Sequence, residues 1–468
     1  MTFFGPNSLA TFLATATFVI TGCASLPDVE SAQNRRTNSE VIFSTAQGQV
    51  SVADAKTALR KLKGKNSDSD ILARHLAYEQ AVNIDNPLVL GNRLSLLQNG
   101  PNTYRAMFKA IRSAKHHINL ETYIFDDDDI GRQFSALLLE RQAAGVQVNI
   151  IHDSFGTVMT PAAFFDRLRE GGINVLAFNP LNPLTSNQRE WRLNNRDHRR
   201  QLIIDGAVAF TGGVNISESY SSAPSGHMPK AKQRTANHTT SWRDTHIRIE
   251  GPVVAEFQKL FMASWERQRG PALRSKNYFP ELKPRGNEIV RVIGSTPDDA
   301  LNPIYLTLMS AIRHAEKNIS LTIAYFAPDS QLLEALGAAA KRGVTVQLIL
   351  PSHTDSWAIH QLGRSHYTAL LRVGVRLYER RGAIMHAKTA CIDDVWSTVG
   401  STNLDWRSFL HNDEINAVIL SRDFAQQMNV MFAEDLAASD EILLKQWQRR
   451  SWLLRLQEQL ARLGSYWL

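Results

Sequence analysis

A chain of 468 residues is longer than one hydrophobic core usually supports, so two domains or two fused halves are expected. Its 43% hydrophobic and 21% charged residues argue against a disordered chain and against a polytopic membrane protein. The formal net charge of +7 suits anionic partners, a phospholipid surface or nucleic acid, without requiring one, and two distant cysteines indicate no disulfide framework.

The first predicted element is the apolar run "LATFLATATFVITGC", of signal-peptide length and too short for a comfortable transmembrane helix. Ile20-Thr21-Gly22-Cys23 resembles a bacterial lipobox, so residues 1–23 read as a lipoprotein signal peptide with Cys23 as the lipidated residue. No Lys or Arg precedes the run, which leaves an uncleaved anchor or a misassigned start as alternatives. Ala24, where an aspartate would favour inner-membrane retention, leans towards the outer membrane. The implied localisation is a membrane-anchored, periplasm-facing lipoprotein.

Residues 24–91 read as a tether and N-terminal cap, with helices predicted at "VADAKTALRKL" and "ILARHLAYEQAV". A pattern that occurs twice begins at Asn92. "AIRSAKHHINLETYIF" (Ala110 to Phe125) matches "AIRHAEKNISLTIAYF" (Ala311 to Phe326), an amphipathic helix feeding an apolar strand. Second strands "GVQVNIIHD" and "GVTVQLILP" and third strands "GGINVLAF" and "VGVRLYER" follow in each copy. The alternation predicts an α/β fold of two similar layered halves, residues 92–270 and 289–442, with mixed, largely parallel sheets and pseudo-two-fold symmetry. Residues 271–288, rich in Pro, Gly and charge, form the expected connector. Residues 443–468 alternate Trp447, Trp452, Leu456, Leu460, Leu463 and Trp467 with Arg449, Arg450, Arg455 and Arg462. That spacing suits an amphipathic helix, either lying on anionic lipid or packed on the body.

Polar residues repeat in register within the two halves. His198, Arg200, Asp205, Gly212, Gly213 and Asn215 in the first stand 188 positions before His386, Lys388, Asp393, Gly400, Ser401 and Asn403 in the second. A lone His-x-Lys is ordinary surface or core, but its repetition inside copies that match elsewhere is not. Residues two apart on a strand share a face, so each window offers a histidine beside a cation. Two halves facing each other supply two histidines, one for each side of a phosphorus.

These residues resemble the phospholipase D superfamily, whose motif His-x-Lys-x4-Asp-x6-Gly-(Gly/Ser)-x-Asn occurs twice. Within it, "LETYIFDDDDIG", "WRDTHIRIEGPVVAEF", "GSTNLDWRS" and "NDEINAVIL" are most similar to bacterial cardiolipin synthases. The resemblance implies a site between the halves, with His198 as nucleophile forming a phosphohistidine and His386 as acid and base, although the two roles can be exchanged. Arg200, Lys388, Asn215 and Asn403 would hold phosphoryl oxygens, and neither a metal nor another cofactor is required. Asp205 and Asp393 are expected to fix turns. Asp244 and Glu414 occupy the place of an acid that orients a motif histidine, with a surface salt bridge as the alternative for Asp244.

Other polar features have plainer readings. "DDDD" at Asp126 to Asp129 is expected to be a solvated turn capping a helix, and His152 with Asp153 a contact at a strand end. Cys391 is expected to be a small buried residue, and Ser221 to Ser241 a basic loop that covers the site, meets head groups or is merely flexible. Four functions stay in play: transfer of a phosphatidyl group to phosphatidylglycerol, giving cardiolipin; hydrolysis of phospholipid to phosphatidic acid; cleavage of nucleic acid; and an inactive lipid-binding protein, suggested by Arg200. The expected partners are anionic phospholipids and a membrane surface. No nucleic-acid groove is visible.

Overall fold

A computed structural model describes residues 26–463 apart from 30, 32–40, 46–47, 52, 54, 56–67, 83–84, 183–191, 223–240 and 275. The segment holding Cys23, most of the stretch expected as the first cap helix, most of the stretch expected as a basic loop and Trp467 lie outside the described residues.

After a short hairpin of Phe43–Thr45 and Gly48–Gln49, helix α1 (Asp68–Val82) leads into the first half through β1 (Leu88–Gln98) and α2 (Asn99–Ser113). There follow β2 (His117–Thr122), α3 (Asp129–Ala143), β3 (Gln147–Asp153), α4 (Ala162–Glu170), β4 (Asn174–Phe178), β5 (Gln201–Ile204), β6 (Val208–Gly212), β7 (Thr245–Glu250) and α5 (Val254–Arg267). The second half repeats them: β8 (Glu288–Ser295), α6 (Pro303–Arg313), β9 (Asn318–Ile323), α7 (Ser330–Lys341), β10 (Thr345–Pro351), α8 (Trp357–Ser365), β11 (Arg376–Arg380), β12 (Lys388–Ile392), β13 (Trp396–Gly400), β14 (Asn412–Leu420) and α9 (Arg422–Ala437). Helix α10 (Trp452–Arg462) closes the described chain.

The strand order is the same in both halves. Across the first it runs β1, β7, β6, β5, β2, β3, β4, and across the second β8, β14, β13, β12, β9, β10, β11. Antiparallel pairing of β1 with β8, Val89 opposite Val290, joins them into one mixed sheet. Parallel pairing is narrower than the sequence suggested: within these two orders β2–β3–β4 and β9–β10–β11 are parallel, and the neighbours towards the junction are antiparallel. The helix–strand units legible in sequence are the parallel part; each motif instead folds as a hairpin, which reverses the chain.

Both sheet faces are covered. Tyr104, Met107, Ala110 and Ile111 repeat at helical spacing on α2 and pack with Ile118, Leu120, Val148 and Ile150 of β2 and β3. Phe257, Phe261 and Trp265 of α5 close the opposite face, sharing a core with Met428 and Met431 of α9. Strands buried on both faces read as near-continuous apolar runs.

Each hairpin turn carries a motif aspartate with positive φ, Asp205 at 52° and Asp393 at 54°. Asp tolerates this left-handed region because its side chain satisfies nearby backbone. The Asp205 carboxylate accepts from the backbone N–H of Lys115, His116 and His117, and Asp393 from those of Glu316, Lys317 and Asn318. The two aspartates thereby anchor the hairpins to the start of β2 and β9. Asp393 also meets His75 of α1 at 2.9 Å, while Glu79 of α1 accepts from buried Arg291 at 3.1 Å and from Trp396 Nε1 at 2.7 Å. The cap helix is thus fastened to the second half by buried polar contacts.

Tyr278 of the connector is buried, and its carbonyl sits so close to Gly206 that a Cβ there would lie 2.5 Å from it. In "DDDD", the Asp128 carboxylate accepts from Gly131 N at 2.8 Å and caps α3, as expected. Cys391 lies in the core, where burial pushes its thiol up to about 12. Among the described residues no helix is long and apolar enough to cross a membrane.

Candidate active site between the halves

Each motif histidine is delivered by a short parallel bridge to the opposite half. Arg196 and Asp197 pair with Asn412 and Asp413, and the His198 backbone N–H donates to Asp413 O at 2.9 Å. In the other direction Trp242 and Arg243 pair with Ile384 and Met385, and His386 N–H donates to Arg243 O at 2.8 Å. The residue after each bridge is an acid. Register therefore sets Glu414 of the second half against His198 and Asp244 of the first half against His386.

The contacts are close. His198 Nδ1 lies 2.8 Å from Glu414 Oε1, and His386 Nδ1 lies 2.7 Å from Asp244 Oδ2. A carboxylate only accepts, which assigns the ring proton to Nδ1 in both histidines and leaves the Nε2 lone pair for chemistry. All four side chains are buried, Asp244 as completely as Glu414, so its expected alternative as a surface salt bridge does not describe its place.

Arg200 lies on the Nε2 side of His198, and Lys388 stands 3.0 Å from both ring nitrogens of His386. Arg200 donates from Nη2 to His198 Nε2 at 2.8 Å, from Nη1 to His198 O at 2.7 Å and from Nε to Asn215 Oδ1 at 2.9 Å. Lys388 Nζ stands 3.0 Å from His386 Nε2 and 2.5 Å from His386 O. Asn215 Nδ2 passes to Tyr220 Oη at 2.9 Å, and Tyr220 Oη lies 3.3 Å from His386 Nδ1, so a polar chain runs from Arg200 to the other histidine. Asn403 stands at the position equivalent to Asn215, buried, with its side-chain oxygen unpartnered.

Burial and mutual repulsion shape the electrostatics. Burial, then Arg200, bring His198 down to about 4, and burial followed by Lys388 and Arg200 takes His386 well below its usual value. Lys388 falls to about 7, chiefly through burial. The acids diverge: burial raises Asp244, whereas for Glu414 the same effect is outweighed by His198, the Ser401 hydroxyl and Arg200, and its carboxyl sits below the usual range. Position 401 also marks a difference between the motifs. Ser401 donates its hydroxyl to Glu414, while the equivalent Gly213 passes so close to Asp244 that a Cβ would lie 2.1 Å from Oδ1.

Four aromatic residues that the sequence reading did not single out complete the walls. Tyr123 stands edge-on to His198 with centroids 5.2 Å apart, and Tyr325 stands likewise to His386 at 6.0 Å. Trp242 and Tyr220 also flank His386, at 4.6 and 5.7 Å. Each cation lies near one of these rings, Arg200 Cζ 5.9 Å from Tyr123 and Lys388 Nζ 6.0 Å from Tyr325. Beneath the site Arg199 reaches Ser264, the Ser295 carbonyl and the Glu414 carbonyl. Asp153, expected as a strand-end contact, accepts from Phe155 and Gly156 and also from Asp197 N at 2.9 Å, holding the segment before His198.

A family model described as "Cardiolipin synthase, PLD-like domain" matches residues 107–234 and 308–436, taking in both motifs. The chain belongs to this family. Among members of the cardiolipin synthase family it is 32% identical to the cardiolipin synthase of Geobacillus kaustophilus over 382 residues, 81% of this chain and 73% of that one. It is also 32% identical to cardiolipin synthase A of Pseudomonas syringae, over 81% of this chain and 76% of that one, and to the major cardiolipin synthase of Bacillus subtilis, over 80% and 75%. The fold is similar to that of a crystal structure of phosphatidylserine synthase from Haemophilus influenzae, with a TM-score of 0.61 and 12% identity, covering 84% of this chain and all of that one.

Proposed function

We propose that the protein is a phosphatidyltransferase that moves a phosphatidyl group through a phosphohistidine to phosphatidylglycerol, giving cardiolipin. The observation that carries this reading is the pair of histidines, each held as the Nδ1–H tautomer by an acid from the opposite half and each with Nε2 beside a cation. Its relatives' names supply the lipid chemistry.

The proposed reaction has two balanced steps. The His198 Nε2 lone pair attacks phosphorus, the P–O bond to the leaving glycerol breaks, and a proton on His386 Nε2 goes to the departing alkoxide. The acceptor hydroxyl then returns a proton to His386 Nε2 while its oxygen attacks and the N–P bond breaks. Arg200 and Lys388, with the amide N–H of Asn403, would face the charge that builds on the phosphoryl oxygens, while Asn215, expected to share that role, positions Arg200 and donates to Tyr220. An anionic diester beside His386 and Lys388 raises both, which supplies the protonated His386 that the first step requires. Glu414, held ionised, stabilises the positive ring of a phosphorylated His198, which supports His198 as nucleophile. Arg200 keeps the charge of the usual lysine and adds a planar fork, so its presence does not favour the inactive reading. A lipid anchor at Cys23, supported by Ile20-Thr21-Gly22-Cys23, would hold the enzyme at its substrates' surface.

The test is turnover of head-labelled phosphatidylglycerol. Labelled cardiolipin with free glycerol is expected; phosphatidic acid as the sole lipid product would replace transfer with hydrolysis. Fatty-acid labelling that disappears in Cys23→Ser is expected for the anchor, and label that persists would remove it from that residue.

A further inference from the structure

Helix α10 is mounted with its polar side inward. Its buried residues are Glu458 and Ala461, and Glu458 accepts two bonds from Arg450, at 2.9 and 2.5 Å. Trp452, Leu453, Leu456, Leu460 and Leu463 are exposed, Trp452 by 74% and Leu463 by 84%. At helical spacing these five form one stripe about 100° wide, pointing away from the body. Burial of such a stripe is the usual reason for an amphipathic helix to form, so a partner of matching chemistry is implied.

Two further groups of exposed apolar side chains lie in loops that pack beside the tyrosines flanking the motif histidines. Ala461 packs on Ala327 and Leu362, and Ala327 lies two residues beyond Tyr325, the ring edge-on to His386. Tyr325 Oη donates to Asp355 Oδ1 at 2.6 Å, and two residues later Trp357 is exposed at the start of α8. The first half repeats this arrangement. Gly156 touches the Tyr123 carbonyl, where a Cβ would lie 2.1 Å away, and its loop exposes Phe155, Val158 and Met159, the last by 88%. Each loop thus packs against the tyrosine flanking its own motif histidine and presents apolar side chains to solvent.

We infer that α10 and these two loops form a rim that enters an anionic lipid bilayer, so that the two-histidine site opens onto the membrane. This rests on the lipid reading of the site. Charge selects the occupant: Arg455 and Arg462 are exposed along one side of the stripe and Arg449 is exposed just before the helix, while the helix's one acid, Glu458, is buried and paired. A second copy on the same stripe would bring like charges together, whereas anionic head groups complement them.

Vesicles of phosphatidylglycerol brominated in the acyl chains test the rim. Tryptophan emission of the full chain is expected to be quenched, and the quenched component is expected to shrink in Trp452→Phe and to be absent with phosphatidylcholine vesicles. In a combined Trp452→Ser, Leu456→Ser, Leu460→Ser variant, turnover of vesicular phosphatidylglycerol falls about tenfold or more, while turnover of short-chain phosphatidylglycerol dispersed as monomers is unchanged. Equal quenching in wild type and Trp452→Phe overturns the inference, as does a wild-type dimer that the combined variant converts to monomer. Quenching at Trp452 without turnover of either substrate would sink the lipid reading of the site and leave the rim standing.

Discussion

In the first half Arg200 commits three of its five N–H groups to His198 and Asn215, and the acid facing His198 sits below its usual range. In the second half the Lys388 ammonium finds its hydrogen-bond partners among the described residues only in the His386 ring and carbonyl, it falls to about 7, and the acid facing His386 is raised. Identical strand order thus carries two different electrostatic environments. The difference suits a division of labour, with a rigid, permanently charged cradle around the nucleophile and a proton-exchanging set around the acid and base.

The largest expected effect comes from the acids. Glu414→Gln removes the charge that fixes the His198 tautomer and is expected to lower kcat about 10³- to 10⁴-fold. Asp244→Asn, replacing the acid already raised by burial, is expected to cost about ten- to a hundredfold. Steady-state turnover checks both, and equal losses would break the comparison between the halves.

The cations come next. Arg200→Ala is expected to lower kcat/KM about 10²- to 10³-fold, and Arg200→Lys to remain within about tenfold of wild type. A fully active alanine variant would reduce Arg200 to an unused charge. For Lys388 the sign follows from a cation that is present below its pKa and lost above it. Wild-type kcat/KM should therefore fall by a further step as pH rises through about 7, beyond the loss that follows deprotonation of His386 at lower pH, and Lys388→Arg should remove that further step. A pH profile unchanged in the arginine variant would assign the step elsewhere.

Position 213/401 gives the smallest effect. Gly213→Ala drives a methyl group against Asp244 and is expected to destabilise by about 1–3 kcal/mol, while Ser401→Gly removes the hydroxyl that donates to Glu414 and accepts from Ile415 N–H, about 1.5–3 kcal/mol. Thermal unfolding compares them, and a Gly213→Ala protein as stable as wild type would mean that Asp244 has room to move.

The catalytic frame is legible in sequence because repetition is a strong signal: residues 188 apart in two copies announce paired motif strands. That Glu414 orients a motif histidine follows from motif likeness, whereas its reach across to His198 of the other half does not. The crossing depends on two-residue bridges too short to leave a pattern. Tyr123, Tyr220, Trp242 and Tyr325 escaped notice because an aromatic residue beside a strand or turn looks like core. The antiparallel share of the sheet is hidden too, since hairpins leave apolar runs much like those of parallel strands. The outward face of α10 is beyond periodicity altogether: spacing shows that an apolar stripe exists, and only the Arg450–Glu458 pair and Ala461 show which side is inward.

The central claim, that His198 carries the phosphatidyl group while His386 moves protons, is tested most directly by trapping the intermediate. With a substrate whose leaving group needs no proton, His386→Ala should accumulate an acid-labile phosphatidyl-histidine that peptide mapping places at His198, and His198→Ala should accumulate none. Label mapped to His386 in the His198→Ala protein, with none at His198 in the other variant, would contradict the assignment and exchange the two halves' roles.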